Sequence, residues 1–169
     1  EECLTIYEQA FIDDWYQDQA DKQKYYDRGL KSFKEFYEAW LKDPMYPVDL
    51  ELGFTFKLGS KYVINGKIDR IDQLEDGVRL VDYKTGEPKT SLASEDKEQL
   101  LIYQLAAESL GKKVKSLQFH YLKNNTTLEF LGKPAELEKL QEKLITRIDA
   151  IRAGDFPPNS TEHTCRSCD

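Results

Sequence analysis

Cysteine is scarce in this sequence: three in 169 residues, an odd count that speaks against a disulfide framework and leaves reactive, metal-binding or buried thiols. Glycine and proline are few as well, 9 and 6, which removes collagen-like and low-complexity classes. No apolar run approaches the roughly 20 residues that span a bilayer. The opening Glu1-Glu2-Cys3 is not the basic-then-apolar start of a signal peptide, so a soluble, cytoplasmic protein without a membrane partner is expected. Positive charge is not in excess either. Lys and Arg number 24 against 31 Asp and Glu, a net charge of −7, which argues against gripping nucleic acid by bulk electrostatics while leaving room for a local basic groove. No Gly-rich loop follows a strand, so nucleotide-binding folds of the Rossmann or P-loop type are not expected, and there is no internal repeat.

What is present is apolar surface, 40% hydrophobic and 12% aromatic residues, enough to offset the ordering entropy of one packed domain. Leu4, Tyr7, Phe11 and Trp15, then Tyr26, Leu30, Phe33, Tyr37 and Trp40, recur at three- and four-residue spacing and predict two amphipathic helices within residues 2–42, the second ending at Asp43-Pro44. From Val48 the period becomes two. Val48 to Leu58, Tyr62 to Ile71 and Val78 to Thr85 read as three strands joined by turns at Gly59-Ser60 and Glu75-Asp76-Gly77. Ser94 is the expected N-cap of a helix running to Leu110 with Gly111 as its stop. Strands at Val114 to Lys123 and Thr126 to Leu131 follow, and Pro134 opens a last helix that ends near Ala153-Gly154. This order predicts a mixed α/β domain around one central sheet.

The chemistry gathers between Ile64 and Gly86. Residues two apart on a strand share a face, so Asp82 and Lys84 project together from the third strand, in a run with Leu80, Val81 and Tyr83 where solvated charge is out of place. Asp69, on the neighbouring strand, can face Asp82 if the Asp76-Gly77 turn sets the register, and Glu51 could supply a third carboxylate. Gathered carboxylates repel, and a hard divalent cation such as Mg²⁺ or Mn²⁺ relieves that repulsion. An ammonium beside such an ion can orient a hydroxide or stabilise the charge that develops at phosphorus. The chemistry this suits is phosphodiester hydrolysis.

Asp82-Tyr83-Lys84, preceded by Gly66-Lys67-Ile68-Asp69-Arg70-Ile71-Asp72 and followed by Gln99-Leu100-Leu101-Ile102-Tyr103, resembles the RecB-like branch of the PD-(D/E)XK nuclease superfamily. The resemblance implies a restriction-endonuclease-like α/β core, a central mixed β-sheet flanked by α-helices, acting as a metal-dependent nuclease on DNA in repair or recombination. It implies that Asp69, Asp82 and the backbone carbonyl of Tyr83 are metal ligands, that Glu51 matches the acidic position before the hairpin, and that Lys84 is the catalytic lysine. Gln99 and Tyr103, one turn apart, would look into the active site and help to place the DNA. Arg70 and Asp72 are expected to form a structural ion pair. His120 is expected to be a satisfied sheet histidine, and Lys112, Lys113 and Lys115 a solvated charged turn.

Members of that branch often stand at the C-terminus of UvrD/Rep-type helicases or in AddA/AddB-like proteins, so helicase domains are expected partners. Residues 1–169 would then be one nuclease domain within a longer polypeptide: a helical part over 1–42, a catalytic core over 48–153 and a cysteine-containing tail over 154–169. The family's first motif is a histidine on an N-terminal helix. His120 and His163 both follow Glu51, so that ligand is expected upstream of residue 1, which places the activity of this piece in question. In the tail, His163, Cys165 and Cys168 resemble the start of the cluster that holds [4Fe-4S] in many relatives, with Cys3 read as an ordinary helix residue. A closed cluster is not expected within these residues. Two rival readings remain: a domain of this fold that only binds DNA or braces a helicase, and an acidic interaction module with Asp82 and Lys84 exposed and far from Asp69.

Overall fold

In the computed structural model, which describes residues 2–12 (at Cys3 the backbone alone) and 14–157, the change of period in the sequence becomes a change of layer. Helices α1 (Glu2–Ala10) and α2 (Gln19–Lys42) precede strands β1 (Pro47–Leu58), β2 (Tyr62–Leu74) and β3 (Gly77–Lys84); α3 (Ser94–Ser109) leads to β4 (Val114–Tyr121) and β5 (Thr126–Phe130), and α4 (Pro134–Ala153) closes the fold. The five strands form one sheet in sequence order. All pairs are antiparallel except β3 and β4, whose parallel pairing requires the crossover that α3 supplies.

The central strands are covered on both faces, so β3 lacks the simple alternation of a half-buried strand, with Leu80, Val81 and Asp82 consecutively buried. On one face α3 and α4 bring Leu100, Ala106, Ala107, Leu137 and Leu140 into a core with Phe54, Phe56, Leu80, Leu117 and Phe119. The alanines let the helix approach the sheet closely. On the other face α2 lays Phe36 against His120, and Trp40 donates to the Met45 carbonyl. Gly59 and Gly154 take positive φ at a hairpin turn and at a helix stop, as expected of residues without a Cβ.

Three expectations shift. Trp15 lies beyond α1 and is exposed, because the chain leaves the helix after Ala10 and Asp18 caps a new one by accepting from the Asp21 amide. Ser94 is the first helical residue rather than the N-cap; Ala93 takes that position, and Asp96 reaches back to accept from its amide. β3 stops at Lys84, leaving Thr85 in the following loop.

Beneath α2 lies the expected pair: Arg70 Nε donates to Asp72 Oδ1 at 2.6 Å, with the side chains only 11% and 3% exposed. Arg70 also donates to the Tyr83 hydroxyl and to the Met45 carbonyl. Removing one member of a buried pair leaves the other charged and unmatched. Arg70→Met is therefore expected to cost about 3–5 kcal/mol in urea unfolding, and Arg70→Met/Asp72→Leu much less.

The lysine turn is indeed solvated, and paired. Lys113 and Lys115 both meet Asp76, and Lys112 meets Asp49. The two lysines hold the Asp76 carboxyl down at about 2. A depressed folded-state value adds stability above the ordinary value of 3.8, and that contribution is lost as pH falls through about 2. An NMR titration should find Asp76 with that midpoint, and Lys113→Ala/Lys115→Ala should return it towards the ordinary value.

Candidate active site

The site is built at the carboxyl end of β3, where two strands and one helix converge. The β2–β3 ladder pairs Ile71 with Leu80 and Arg70 with Val81, so one step on Asp69 stands across from Asp82. Asp69 Oδ2 accepts from the Tyr83 amide at 3.0 Å. Asp82 is 3% exposed, and the nearby Asp69 charge acts on it. Burial pushes the Asp82 carboxyl up, and the neighbouring Lys84 ammonium opposes that shift.

Lys84 Nζ lies 2.7 Å from Asp82 Oδ2 and donates to Gln99 Oε1 at 2.6 Å. It also sits 4.9 Å from the centroid of the Phe119 ring, a cation–π contact. Gln99 Nε2 in turn donates to the Tyr103 hydroxyl at 3.1 Å, and Tyr103 packs on Phe54 and reaches Asp82. Asp82, Lys84, Gln99 and Tyr103 thus close a ring of contacts between β3 and α3. Burial raises the Tyr103 hydroxyl, which stays protonated at neutral pH.

Glu51 stands apart. Its carboxylate is exposed and pairs with Lys67 at 3.1 Å. Its backbone, however, lies opposite Asp69, between the Leu50–Arg70 and Leu52–Ile68 pairs, with φ of +50°. A non-glycine residue in that region is strained, and such strain is held where the surroundings over-determine it. Here the buried positions of β2 change phase, so Ile68 and Ile71, three apart, are both fully buried. Strict alternation would not allow this. The sequence carried no sign of this kink, since glutamate has no preference for positive φ.

His120 sits on the opposite face between Phe36 and Tyr83, and its Nε2 meets Asn125 Oδ1 at 3.2 Å. Burial holds it below the ordinary histidine value, and it has no place beside Asp69 and Asp82. His163, Cys165 and Cys168 lie outside the described residues, as does the Cys3 side chain.

The donor set is oxygen alone. Asp82 Oδ2 has the Lys84 ammonium 2.7 Å away as an ion pair, out of line for a hydrogen bond, and accepts no other. A buried carboxylate oxygen left in that condition fits a cation. Among the described residues no three His, Cys, Asp or Glu side chains are grouped to hold an ion. An ion held here would rest on two carboxylates and a main-chain carbonyl, with water completing its shell, which suits Mg²⁺ and not a site closed by protein donors.

The family model of the PD-(D/E)XK nuclease superfamily matches residues 1–169. The chain belongs to that superfamily. Its five-stranded mixed sheet and four helices are the restriction-endonuclease-like form, and PD-(D/E)XK nucleases generally use divalent metals. Among solved structures, the chain is similar to a protein from Eubacterium rectale described as a candidate exonuclease, with 14% identity, a TM-score of 0.50 and coverage of 99% of this chain and 68% of that one. It also matches the protein SSO0001, with 21% identity and a TM-score of 0.42 over 69% of this chain. The chain spans 59% of SSO0001, less than two thirds of its length. No curated protein matches. No helix among the described residues is long and apolar enough to cross a membrane.

Burying Asp82 as an anion is costly, so the folded PD-(D/E)XK domain holds its proton more tightly than the unfolded chain does. Stability therefore falls as pH rises from the ordinary carboxylate range through the raised one. Asp82→Asn should raise stability at neutral pH by about 0.5–2 kcal/mol, read as a higher melting temperature.

Proposed function

We propose that this domain hydrolyses phosphodiester bonds of DNA with Mg²⁺ or Mn²⁺, as the nuclease part of a RecB-like repair or recombination protein that works with UvrD/Rep-type helicase domains. The observation that carries the reading is Asp82, buried with an oxygen that only the Lys84 charge meets, one residue from the Tyr83 carbonyl and beside Asp69. Asp69, Asp82 and the Tyr83 carbonyl would hold the ion. When bound, it lowers the pKa of a water and screens the phosphate charge.

The protein's own groups do the positioning. Lys84, a third exposed, reaches the cleft from a buried stem and is steered by Gln99, so its protons can point at an attacking water or at a non-bridging phosphate oxygen. Tyr103 braces Gln99 from below. Asp69, tied to the Tyr83 amide, keeps the two strand ends in register while their charges are neutralised. Glu51 is the least committed of the acidic residues because its partner is Lys67. In the longer protein, Cys165 and Cys168 would join further cysteines around a [4Fe-4S] cluster.

The rival reading, a domain that binds DNA or braces a helicase without cutting, draws on the carboxylate count, two where three were expected. The interaction-module reading fits poorly, since it needs Asp82 exposed. The deciding experiment is cleavage of labelled DNA with Mg²⁺ or Mn²⁺. Asp69→Ala, Asp82→Ala and Lys84→Ala are each expected to lower the rate at least about a hundredfold, and Glu51→Ala by about fivefold at most, the worth of an exposed ion pair. Undiminished cleavage in Asp82→Ala and Lys84→Ala would overturn the assignment.

A further inference from the structure

Lys84 has two polar partners of different kind. Its Nζ lies 2.7 Å from Asp82 Oδ2 as an ion pair and donates to Gln99 Oε1 at 2.6 Å. No other cation pairs with Asp82 among the described residues. The Lys84 side chain is a third exposed and reaches a cleft of about 590 Å³ that Gly86, Lys89, Asp96 and Gln99 also line. Asp82, by contrast, is buried on its strand. The ammonium therefore has room to withdraw, and the carboxylate does not.

A carboxylate oxygen holds Mg²⁺ at about 2.1 Å. With Nζ at 2.7 Å from that same oxygen, an ammonium and a divalent ion would stand at most about 4.8 Å apart, and their charges repel. We propose that the Lys84 ammonium and the divalent ion compete for Asp82 Oδ2, so that the lysine leaves Asp82 as the ion is taken up and is kept by Gln99 at the wall of the cleft. Lys84 then has two duties in turn: counter-ion to a costly carboxylate, and a cation released to substrate once the site is loaded. The inference takes its ion from the nuclease reading above.

Gln99 is fitted to keep the ammonium. Its Nε2 donates to the Tyr103 hydroxyl at 3.1 Å, which leaves the carbonyl oxygen of the same amide turned to Lys84. The Phe119 ring, 4.9 Å from Nζ, offers the same charge a second neutral contact. Neither partner carries charge, so a lysine held by them keeps its own for a phosphate oxygen. A lysine that served only to offset the burial of Asp82 would need neither, and its removal would not favour a divalent ion.

The test is ion binding without DNA. Mn²⁺ is added to the full 169-residue chain at mildly alkaline pH and the free ion is followed by its paramagnetic resonance signal. Lys84→Met and Lys84→Gln are each expected to bind Mn²⁺ about tenfold more tightly than wild type, the repulsion at that separation even at the dielectric of water. Gln99→Leu, which removes the lysine's second station, should weaken Mn²⁺ binding by roughly two- to tenfold, the worth of one hydrogen bond. Added to Lys84→Met, the same Gln99→Leu change should have no effect, because its influence passes through the lysine. Circular dichroism establishes that each variant is folded. Equal or weaker Mn²⁺ binding by the folded Lys84 variants, or a Gln99→Leu effect of the same size in both backgrounds, would overturn the inference. A wild-type chain that binds Mn²⁺ indifferently to Lys84 still leaves the nuclease reading standing, since that reading is tested by cleavage.

Discussion

The register of β2 against β3 is the constraint on which the rest depends. Pairing Arg70 with Val81 sets Asp69 across from Asp82 and sends Arg70 and Asp72 to the face beneath α2. A slip of one residue would exchange those sets, bringing a guanidinium into the place of a carboxylate. Two features resist the slip. The tight Asp76-Gly77 turn fixes the count, and the buried Arg70–Asp72 pair can be satisfied only where Tyr83 and the Met45 carbonyl accept the remaining guanidinium protons. The charged pair is thus less a source of net stability than a device of specificity, holding the one register in which the carboxylates meet.

Much of this was legible because it lies in local pattern. The switch from helical to alternating period separated the layers, the Asp-Gly and Asn-Asn turns marked hairpins, and Asp82 with Lys84 shared a face by spacing alone. The Arg70–Asp72 pair was expected from the resemblance to the nuclease motif, which both residues match, and the fold places it beneath α2. Illegible features were those set by contact at a distance. Glu51 read as a carboxylate for the site because it follows Leu50 on a strand; its left-handed backbone, which coincides with the phase change in β2, depends on the ladder and not on its own side chain. The start of α3 is a local matter instead: Asp96 accepts from the Ala93 amide three residues before it, which moves the N-cap one residue ahead of Ser94.

The acidity of the chain also reads differently once placed. Part of it sits in pairs near the surface: Asp76 with two lysines ties the β2–β3 turn to the start of β4, Glu98 with Lys143 and Arg147 ties α3 to α4, and Asp149 with Lys61 and Tyr62 ties α4 to the sheet. These exposed pairs contribute little individually and weaken with salt. Asp82 differs in kind. Its burial is costly, and Lys84 at 2.7 Å offsets that cost only in part, so the carboxyl stays raised.

Tyr83 joins the two sides of the sheet. Its amide fixes Asp69 on one side, while its ring packs on His120 and its hydroxyl accepts a hydrogen bond from Arg70 on the other, where the same ring lines a cavity beside α2. A strand residue ordinarily serves one face with its side chain and leaves its backbone to the ladder. At the end of β3 the ladder to β2 has run out at Arg70 and Val81, so the Tyr83 amide is free to take a side-chain acceptor instead.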